Sequence, residues 1–116
     1  MTVTVYGIKN CDTMKKARAW LDENGVAYAF HDYKSAGASP ELLQSWADKV
    51  GWEPLLNRTG MTFRKLSEAD KADIDRDKAI ALMAAQPSMI KRPVVDKDGE
   101  ILVGFKPESY ASFFGG

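Results

Sequence analysis

The sequence predicts an α/β protein with a mixed four-stranded sheet, in which a βαβ half and a ββα half are separated by a helical insertion. Apolar residues alternate in short segments near both ends of the chain, which is typical of strands, and recur at helical spacing between residues 39 and 90. A helical pattern follows the first strand, whereas a turn signal separates the last two strands. Because 116 residues is the length of one domain, we expect residues 1–116 to form a single domain.

The first half contains two strands and the helix between them. Val3 and Val5 alternate with their neighbours until Gly7, and a second alternation covers residues 26–33. Between these strands we expect an amphipathic helix over about residues 13–24, because apolar residues recur three and seven positions apart, as Met14, Ala17 and Leu21. A strand, a helix and a strand within about 30 residues indicate a right-handed βαβ unit with parallel strands.

The insertion is predicted to be a series of helices. Residues 34–38 should form a loop, after which Ser39 is a suitable N-cap and Pro40 a suitable first residue for a helix that ends at Gly51. The pattern then indicates four shorter pieces: a helical turn within 52–57, a polar and basic stretch over 58–64 with Gly60 in a turn, a helical piece from Ser67, and a helix over about 75–85 that Pro87 ends.

The second half is predicted to be an antiparallel hairpin followed by a helix. Val94 and Val95 indicate a buried strand, residues 96–99 read Asp-Lys-Asp-Gly, which is a turn signal, and residues 101–103 form the returning strand. A last helix should open at residues 106–109.

Composition and charge argue against several classes of function. The 16 basic and 16 acidic side chains balance, so we expect no general attraction to nucleic acid or to an anionic membrane. A single cysteine cannot form an internal disulfide, and one cysteine with one histidine offers a transition metal little to bind. The N-terminus lacks a signal-peptide pattern, and no apolar run approaches the roughly 18 residues of a membrane span. We therefore expect a cytoplasmic protein in a reducing compartment.

The loop between the first strand and the first helix carries the only cysteine, Cys11. Free amide groups and the positive end of the helix dipole stabilise a thiolate at such a place, which lowers a cysteine pKa from about 8.5 to between about 3.5 and 7.5. Lys9, Lys15 and Lys16 add positive charge and Asp12 opposes it, so we expect a moderate lowering. A lone cysteine can also be a small buried hydrophobe, but the polar neighbours of Cys11 favour a functional thiol.

Four separated segments resemble the ArsC-like family, which comprises glutaredoxin-related arsenate reductases, Spx-type regulators and YffB-type proteins. The first segment, residues 7–17, reads Gly-Ile-Lys-Asn-Cys-Asp-Thr-Met-Lys-Lys-Ala and includes the cysteine. The others are Leu55–Leu66, Lys91–Val95 and Gly104–Pro107, in the order and spacing that the family has. The resemblance covers nearly the whole chain and is closest to the YffB branch.

The resemblance implies a thioredoxin-like (glutaredoxin-like) fold, and the order of predicted elements agrees with it. In that fold a cis-proline before the third strand faces the active-site cysteine, and Pro93 occupies this place. The arsenate reductases of the family surround their cysteine with three arginines. Arg92 matches one of them, Lys106 stands in the place of a second, and either Asn57 or Arg58 falls at the third.

On this basis the sequence predicts a glutathione-dependent thiol–disulfide reductase. Cys11 would attack an oxidised sulfur as a thiolate, and glutathione would resolve the mixed disulfide because the chain has no second thiol. Asn10 and the helix amides would stabilise developing negative charge, with Arg92 completing the catalytic group. The residues expected to bind substrate or glutathione are Lys9, Thr13, Arg58, Arg64, Arg92, Pro93 and Lys106. For Arg58 and Arg64 an ordinary surface charge is the alternative.

Two other functions stay open. An arsenate reductase would use the same Cys11 and glutathione, although Lys106 keeps the charge of an arginine without its two-pronged geometry. An Spx-like protein-binding module would act without turnover, and without a disulfide switch, because Met14 stands three residues after the cysteine. We expect no metal and no tightly bound cofactor. The expected partners are glutathione, as co-substrate, and a small anionic or disulfide substrate, bound by a monomer.

Overall fold

The computed structural model describes residues 2–9 and 11–115. Their helices and strands follow in this order: β1 (Val3–Gly7), α1 (Asp12–Glu23), β2 (Ala29–Asp32), α2 (Tyr33–Ala36), α3 (Pro40–Val50), α4 (Met61–Arg64), α5 (Glu68–Lys71), α6 (Arg76–Ala85), β3 (Val94–Lys97), β4 (Glu100–Val103) and α7 (Pro107–Gly115).

These elements form two compact units. One, called here the sheet unit, runs to Asp32 and resumes at Arg92. The other, the helical unit, is Tyr33–Lys91 and includes the predicted insertion. That residues 1–116 make a single domain stays a prediction.

The sheet unit contains the mixed four-stranded sheet that the sequence predicts. The strand order is β2-β1-β3-β4, with β1 parallel to β2 and β3 antiparallel to both β1 and β4. Val5 lies opposite Phe30 and Val95, and Val95 lies opposite Leu102, so this row crosses all four strands on one face. The connectivity is that of the thioredoxin-like fold, as predicted.

The core of the sheet unit lies on this face, against α1 and α7. Its buried residues are Val3, Val5, Met14, Ala17, Leu21, Val95 and Tyr110. The apolar spacing that predicts α1 is therefore the spacing of the helix face that is buried. Burying one large apolar side chain contributes roughly 1.5–3 kcal/mol, so this face supplies much of the stability of the unit.

The hairpin between β3 and β4 turns on two residues, Asp98 and Gly99. Both have positive φ angles, 52° and 93°, which is the conformation that a two-residue hairpin favours and that an Asp-Gly pair adopts readily. Asp96 supports the turn, because its Oδ1 accepts the Gly99 N–H at 2.8 Å. The hairpin prediction is confirmed, although Asp96 and Lys97 belong to the strand and not to the turn.

The helical unit is built largely on α3 and α6. The Ser39 Oγ accepts the Leu42 N–H at 3.2 Å and Pro40 is the first helical residue, which confirms the predicted start of α3. Gly51 ends the helix with φ 84°, a conformation that suits glycine. The two helices bury an apolar set that packs them together: Leu43, Trp46, Ala47, Ala79, Ile80 and Met83.

Two short helices of this unit were not predicted. Residues 34–38 were expected to form a loop, but the Gly37 N–H donates to the Tyr33 carbonyl at 2.8 Å and closes the single turn of α2. In the polar and basic stretch 58–64 only a turn at Gly60 was expected, but α4 begins at Met61 and the Lys65 N–H donates to the Met61 carbonyl at 3.0 Å. A helix of one turn is too short to show a 3.6-residue apolar period, so the sequence pattern could not reveal it.

The second strand is also shorter than its pattern suggests. The sequence predicts a strand over 26–33, whereas β2 begins at Ala29 and Tyr33 starts α2. The Val26 N–H donates to the Leu21 carbonyl at 2.9 Å, so this backbone group is used by the end of α1 and not by a neighbouring strand. Within the described ranges, no helix has both the length and the apolar character needed to cross a bilayer.

Candidate active site

Cys11 lies at the junction between β1 and α1. Its backbone is extended, with φ −126° and ψ 130°, and its carbonyl accepts the Lys15 N–H at 3.0 Å, which makes it the N-cap of α1. The side chain is half-buried and packs against the core of the sheet unit. The sulfur is therefore held at the N-terminus of a helix of 12 residues, as the sequence predicts.

Close packing under this junction depends on Gly7 and Met14. A Cβ atom on Gly7 would lie 2.3 Å from the Sδ of Met14 and 2.6 Å from its Cε, far inside normal contact. Met14 itself is completely buried. A side chain at residue 7 would therefore have to displace the end of the buried Met14 side chain, and the residue three positions after Cys11 serves the core.

Arg92 approaches the Cys11 side chain from the neighbouring strand, because it lies just before β3. β1 and β3 are antiparallel neighbours and Tyr6 lies opposite Val94, so the loop that leaves β1 and the residues that enter β3 meet at one edge. The Arg92 side chain is half-buried, and it acts on the Cys11 sulfur as a donor and as a charge, both of which lower the pKa of the thiol. The pairing of a cysteine near the start of the chain with an arginine near its end thus follows from strand order.

The environment of Cys11 favours its thiolate. Burial raises the pKa of the thiol, but the Met14 amide, the Arg92 hydrogen bond, the Thr13 amide and the Arg92 charge each lower it, and the net pKa is below its ordinary value. Within the described residues the side chain makes no capping hydrogen bond of normal geometry. The two amides therefore act chiefly as oriented partial charges at the helix N-terminus, and Arg92 is the charged partner.

Pro93 is buried and anchored beside this pair. The Arg92–Pro93 peptide bond is cis, as the resemblance implies, and the Pro93 carbonyl accepts the Gly104 N–H at 2.8 Å. This hydrogen bond extends the pairing of β3 with β4 by one residue, so the Pro93 carbonyl is fixed within the sheet unit. The predicted role of Pro93 in shaping a substrate groove stays a prediction.

The other predicted site residues of the sheet unit are exposed. Lys9 and Thr13 face solvent, and for Thr13 it is the backbone amide that acts on the sulfur. Lys106 is exposed and precedes α7, where its carbonyl accepts the Tyr110 N–H at 3.0 Å. Asn10, predicted to stabilise developing charge, lies outside the described residues. The binding roles of these side chains stay predictions.

Arg58 and Arg64 belong to the helical unit. The guanidinium of Arg58 lies 5.9 Å from the centre of the Trp52 ring, a cation–π distance. Arg64 is exposed in α4, and its carbonyl accepts the Lys71 Nζ at 2.9 Å. A role for either arginine in binding substrate or glutathione stays a prediction.

Sequence reasoning gave no structural role to three residues of the sheet unit. Gly7 was treated only as the end of a strand and Gly104 only as part of a family segment, and Tyr110 was not singled out, whereas Gly7 packs against Met14 and the Tyr110 hydroxyl donates to the Gly104 carbonyl. Only Gly104 carried a visible signal, because a glycine directly after a strand indicates a special backbone conformation, and its φ is 84°.

Comparison with known proteins places these features in one family. A model described as the ArsC family matches residues 6–113 of the chain. The chain is 63% identical to a solved YffB protein, with a TM-score of 0.93, covering 96% of this chain and 97% of that one. It is 56% identical to a solved arsenate reductase (ArsC) related protein from Brucella melitensis, with a TM-score of 0.78, covering 98% and 95%. It is 27% identical to the global transcriptional regulator Spx of Streptococcus mutans, over 96% of this chain and 82% of the regulator.

Proposed function

Since the chain belongs to the ArsC family, we propose that it is a glutathione-dependent thiol–disulfide reductase whose nucleophile is the Cys11 thiolate. The observation that carries this proposal is the position of Cys11 at the N-terminus of α1 beside Arg92, where the helix amides and the guanidinium lower the pKa of the thiol. A thiolate is the form of cysteine that attacks disulfides, and reactive cysteines lie in electropositive, partly exposed surroundings of this kind.

In the first step, the Cys11 thiolate attacks a mixed disulfide between glutathione and a second thiol, RS–SG. A bond forms between the Cys11 sulfur and the glutathione sulfur, and the S–S bond of the substrate breaks. The electron pair of that bond leaves with RS⁻, which takes a proton from water. The enzyme then carries glutathione as the mixed disulfide Cys11–S–SG, so the Cys11 sulfur is at the disulfide level and the substrate has been reduced to RSH.

In the second step, the thiolate of another glutathione attacks the glutathione sulfur of the adduct. Oxidised glutathione leaves, and the Cys11 thiolate is regenerated as the leaving group. The sum is RS–SG + GSH → RSH + GSSG. A thiol with a low pKa is a good leaving group, so the same surroundings of Cys11 serve both steps. The chain's one cysteine requires that the resolving thiol come from outside.

The roles of the neighbouring groups follow from charge and geometry. The Thr13 and Met14 amides and the Arg92 guanidinium hold negative charge on the sulfur. Arg92 and Lys106 are the proposed partners of the glutathione carboxylates, since arginine binds a carboxylate through two parallel hydrogen bonds and lysine as a point charge. The reaction needs a supply of reduced glutathione, so the cytoplasm is its proposed place.

Reduction of arsenate is the second candidate, and the same observation favours it. A guanidinium beside a thiolate suits an oxyanion as well as a carboxylate, and the Brucella melitensis relative is described as related to an arsenate reductase. The balanced reaction is arsenate + 2 GSH → arsenite + GSSG + water. We place it second because Lys106 offers one point charge where a planar arginine would bind two oxygens of the oxyanion.

One assay tests both reactions. The mixed disulfide of glutathione and 2-mercaptoethanol, or arsenate, is supplied with glutathione, and the GSSG formed is measured with glutathione reductase and NADPH. We expect turnover of the disulfide that falls to background in Cys11→Ser, and much slower turnover of arsenate. Equal rates for the wild type and Cys11→Ser would refute the proposed function. Arsenate as the faster substrate would select the second candidate.

A protein-binding role without catalysis is the remaining reading, and similarity to Spx motivates it. It predicts that neither substrate is turned over and that alkylating Cys11 leaves partner binding unchanged. Turnover that depends on Cys11 would exclude it as the sole function.

A further inference from the structure

Tyr110 connects the buried core of the sheet unit to the backbone near the Cys11 site. The side chain is fully buried, and its ring makes edge-to-face contacts with Trp20 and Phe105 at centroid distances of 5.5 and 4.8 Å. Its hydroxyl donates to the Gly104 carbonyl at 3.0 Å. Because packing fixes the ring, the position of this hydroxyl is fixed as well, and it determines where the Gly104 carbonyl lies.

Gly104 passes this constraint to Pro93. Its carbonyl accepts from Tyr110 while its N–H donates to the Pro93 carbonyl at 2.8 Å. Its φ of 84° lies in the region that residues with side chains rarely adopt, so the two groups point to their partners through a conformation suited to glycine. Gly104 thus joins a helix of the core to the residue that precedes β3.

The last link leads to the sulfur. Pro93 is buried, and it is bonded directly to Arg92, whose side chain acts on the Cys11 sulfur as a donor and as a charge. A guanidinium must be held within a fraction of an ångström to keep such a hydrogen bond, and the anchored neighbour limits its movement. The contacts therefore run without a break from Tyr110 through Gly104, Pro93 and Arg92 to Cys11.

We propose that Tyr110 is a positioning residue for the Cys11 site: through Gly104 and Pro93, its hydroxyl sets where Arg92 meets the sulfur. The inference rests on the proposed function, because this placement matters only if the thiolate acts. The hydroxyl remains a donor while Cys11 titrates, since burial raises the pKa of Tyr110. The rings packed against it, those of Trp20, Phe105 and Phe114, carry no charge.

The test is Tyr110→Phe, which keeps the ring and removes the hydroxyl. The readouts are the pH midpoint of Cys11 alkylation by iodoacetamide and the rate of GSSG formation. We expect the midpoint to rise by about half a pH unit, which leaves about threefold less thiolate at a pH well below it. Tyr28→Phe is the matched control, because it removes a hydroxyl that accepts the Arg18 Nε at 3.0 Å. Its midpoint should equal that of the wild type.

A double-mutant comparison shows whether Tyr110 acts through Arg92. In an Arg92→Ala background, Tyr110→Phe should move the midpoint no further, because the group that it positions is gone. A merely structural role would lower the thermal midpoint of unfolding without moving the Cys11 titration. An unchanged titration in a folded Tyr110→Phe, or a shift that persists in full without Arg92, would overturn the proposal.

The wild-type protein provides a second test in case Tyr110→Phe does not fold. Coupling between sites is reciprocal, so the amide resonance of Gly104 should change with the Cys11 titration and stay constant in Cys11→Ser. A Gly104 resonance that does not respond to Cys11 ionisation overturns the proposal. Failure of the proposed function looks different, because the wild type and Cys11→Ser would then form GSSG at equal rates, whatever the Gly104 resonance does.

Discussion

Arg92 lowers the pKa of Cys11 as a donor to its sulfur and as a nearby charge, although the two residues come from opposite ends of the chain. Antiparallel pairing explains the encounter: Cys11 follows the end of β1, Arg92 precedes the start of β3, and these ends are neighbours in the sheet. A permanently charged guanidinium is thereby held against a group that ionises. The cysteine and the arginine are the two side chains on which the predictions about chemistry depend.

Replacing Arg92 should raise the pKa of Cys11. Arg92→Ala removes both a hydrogen bond to the thiolate and a positive charge, and a partly exposed pair of this kind should shift the pKa by about one unit. Arg92→Lys should give a smaller shift, because it keeps the charge and loses the planar donors. The measurement is the pH dependence of Cys11 alkylation. Arg18→Ala is the control, since Arg18 contacts Tyr28 and Phe30, and a shift equal to that of Arg92→Ala would contradict the assignment.

The stability of the protein should depend on pH through Cys11. The pKa of this thiol is lower in the folded state than in the unfolded chain, where it is about 8.5. The folded state is therefore stabilised when Cys11 is ionised. The resulting stabilisation is fully present above the unfolded pKa and is lost as the pH falls through the folded pKa. The free energy of unfolding of the wild type, relative to Cys11→Ser, should therefore increase as the pH is raised toward 9.

Urea unfolding of both proteins at a series of pH values measures this difference. The reference to Cys11→Ser removes the contributions of the other titrating groups, since they are common to both chains. A difference that stays constant from pH 6 to pH 9.5, or that falls with rising pH, would show that the folded state does not favour the thiolate.

Gly7 should tolerate no larger residue without loss of stability. A Cβ atom at this position would lie 2.3 Å from the Sδ of Met14, whose side chain is completely buried. Overpacking of this kind typically costs about 1–3 kcal/mol, so we expect Gly7→Ala to lower the free energy of unfolding by that amount. Chemical denaturation measures it.

Gly115→Ala is the matched control for Gly7→Ala. A Cβ atom there would meet no heavy atom of the described residues within 4 Å, so its effect should stay within about 0.5 kcal/mol. In a Met14→Ala background, Gly7→Ala should lower the free energy of unfolding by less than it does in the wild type, because the side chain with which the new Cβ clashes is gone. Equal losses for the two glycine variants would show that the contact with Met14 is not tight.

Much of the sheet unit could be predicted because its signals are local. The apolar spacing of Met14, Ala17 and Leu21 specifies the buried face of α1, and Asp98-Gly99 specifies a two-residue turn. The position of Cys11 at a helix N-terminus followed from the same reasoning. These features depend on neighbours in the sequence, so the sequence displays them directly.

The remaining features depend on contacts between distant segments. The approach of Arg92 to the Cys11 sulfur depends on the strand order, which the apolar pattern alone does not specify. Arg92 could be assigned to the site only through the family resemblance. The hydrogen bond from Tyr110 to Gly104 joins a helix residue to a loop carbonyl, and an aromatic residue on a helix gives no sign of its hydrogen-bond partner. The single turns of α2 and α4 were missed because a turn has no period.

Lys106 should affect the binding of glutathione and leave the ionisation of Cys11 unchanged. Lys106 is exposed, whereas the charge that lowers the Cys11 pKa is that of Arg92. Substituting Lys106 should therefore change glutathione binding, and substituting Arg92 should change the Cys11 pKa. An exposed ion pair contributes about 0.2–1 kcal/mol, so Lys106→Ala should raise the KM for glutathione by roughly 1.5- to 5-fold with kcat nearly constant. Steady-state kinetics at varied glutathione measures this. Lys106→Arg keeps the charge and should restore the KM, and a moved alkylation midpoint in Lys106→Ala would place the lysine at the sulfur instead.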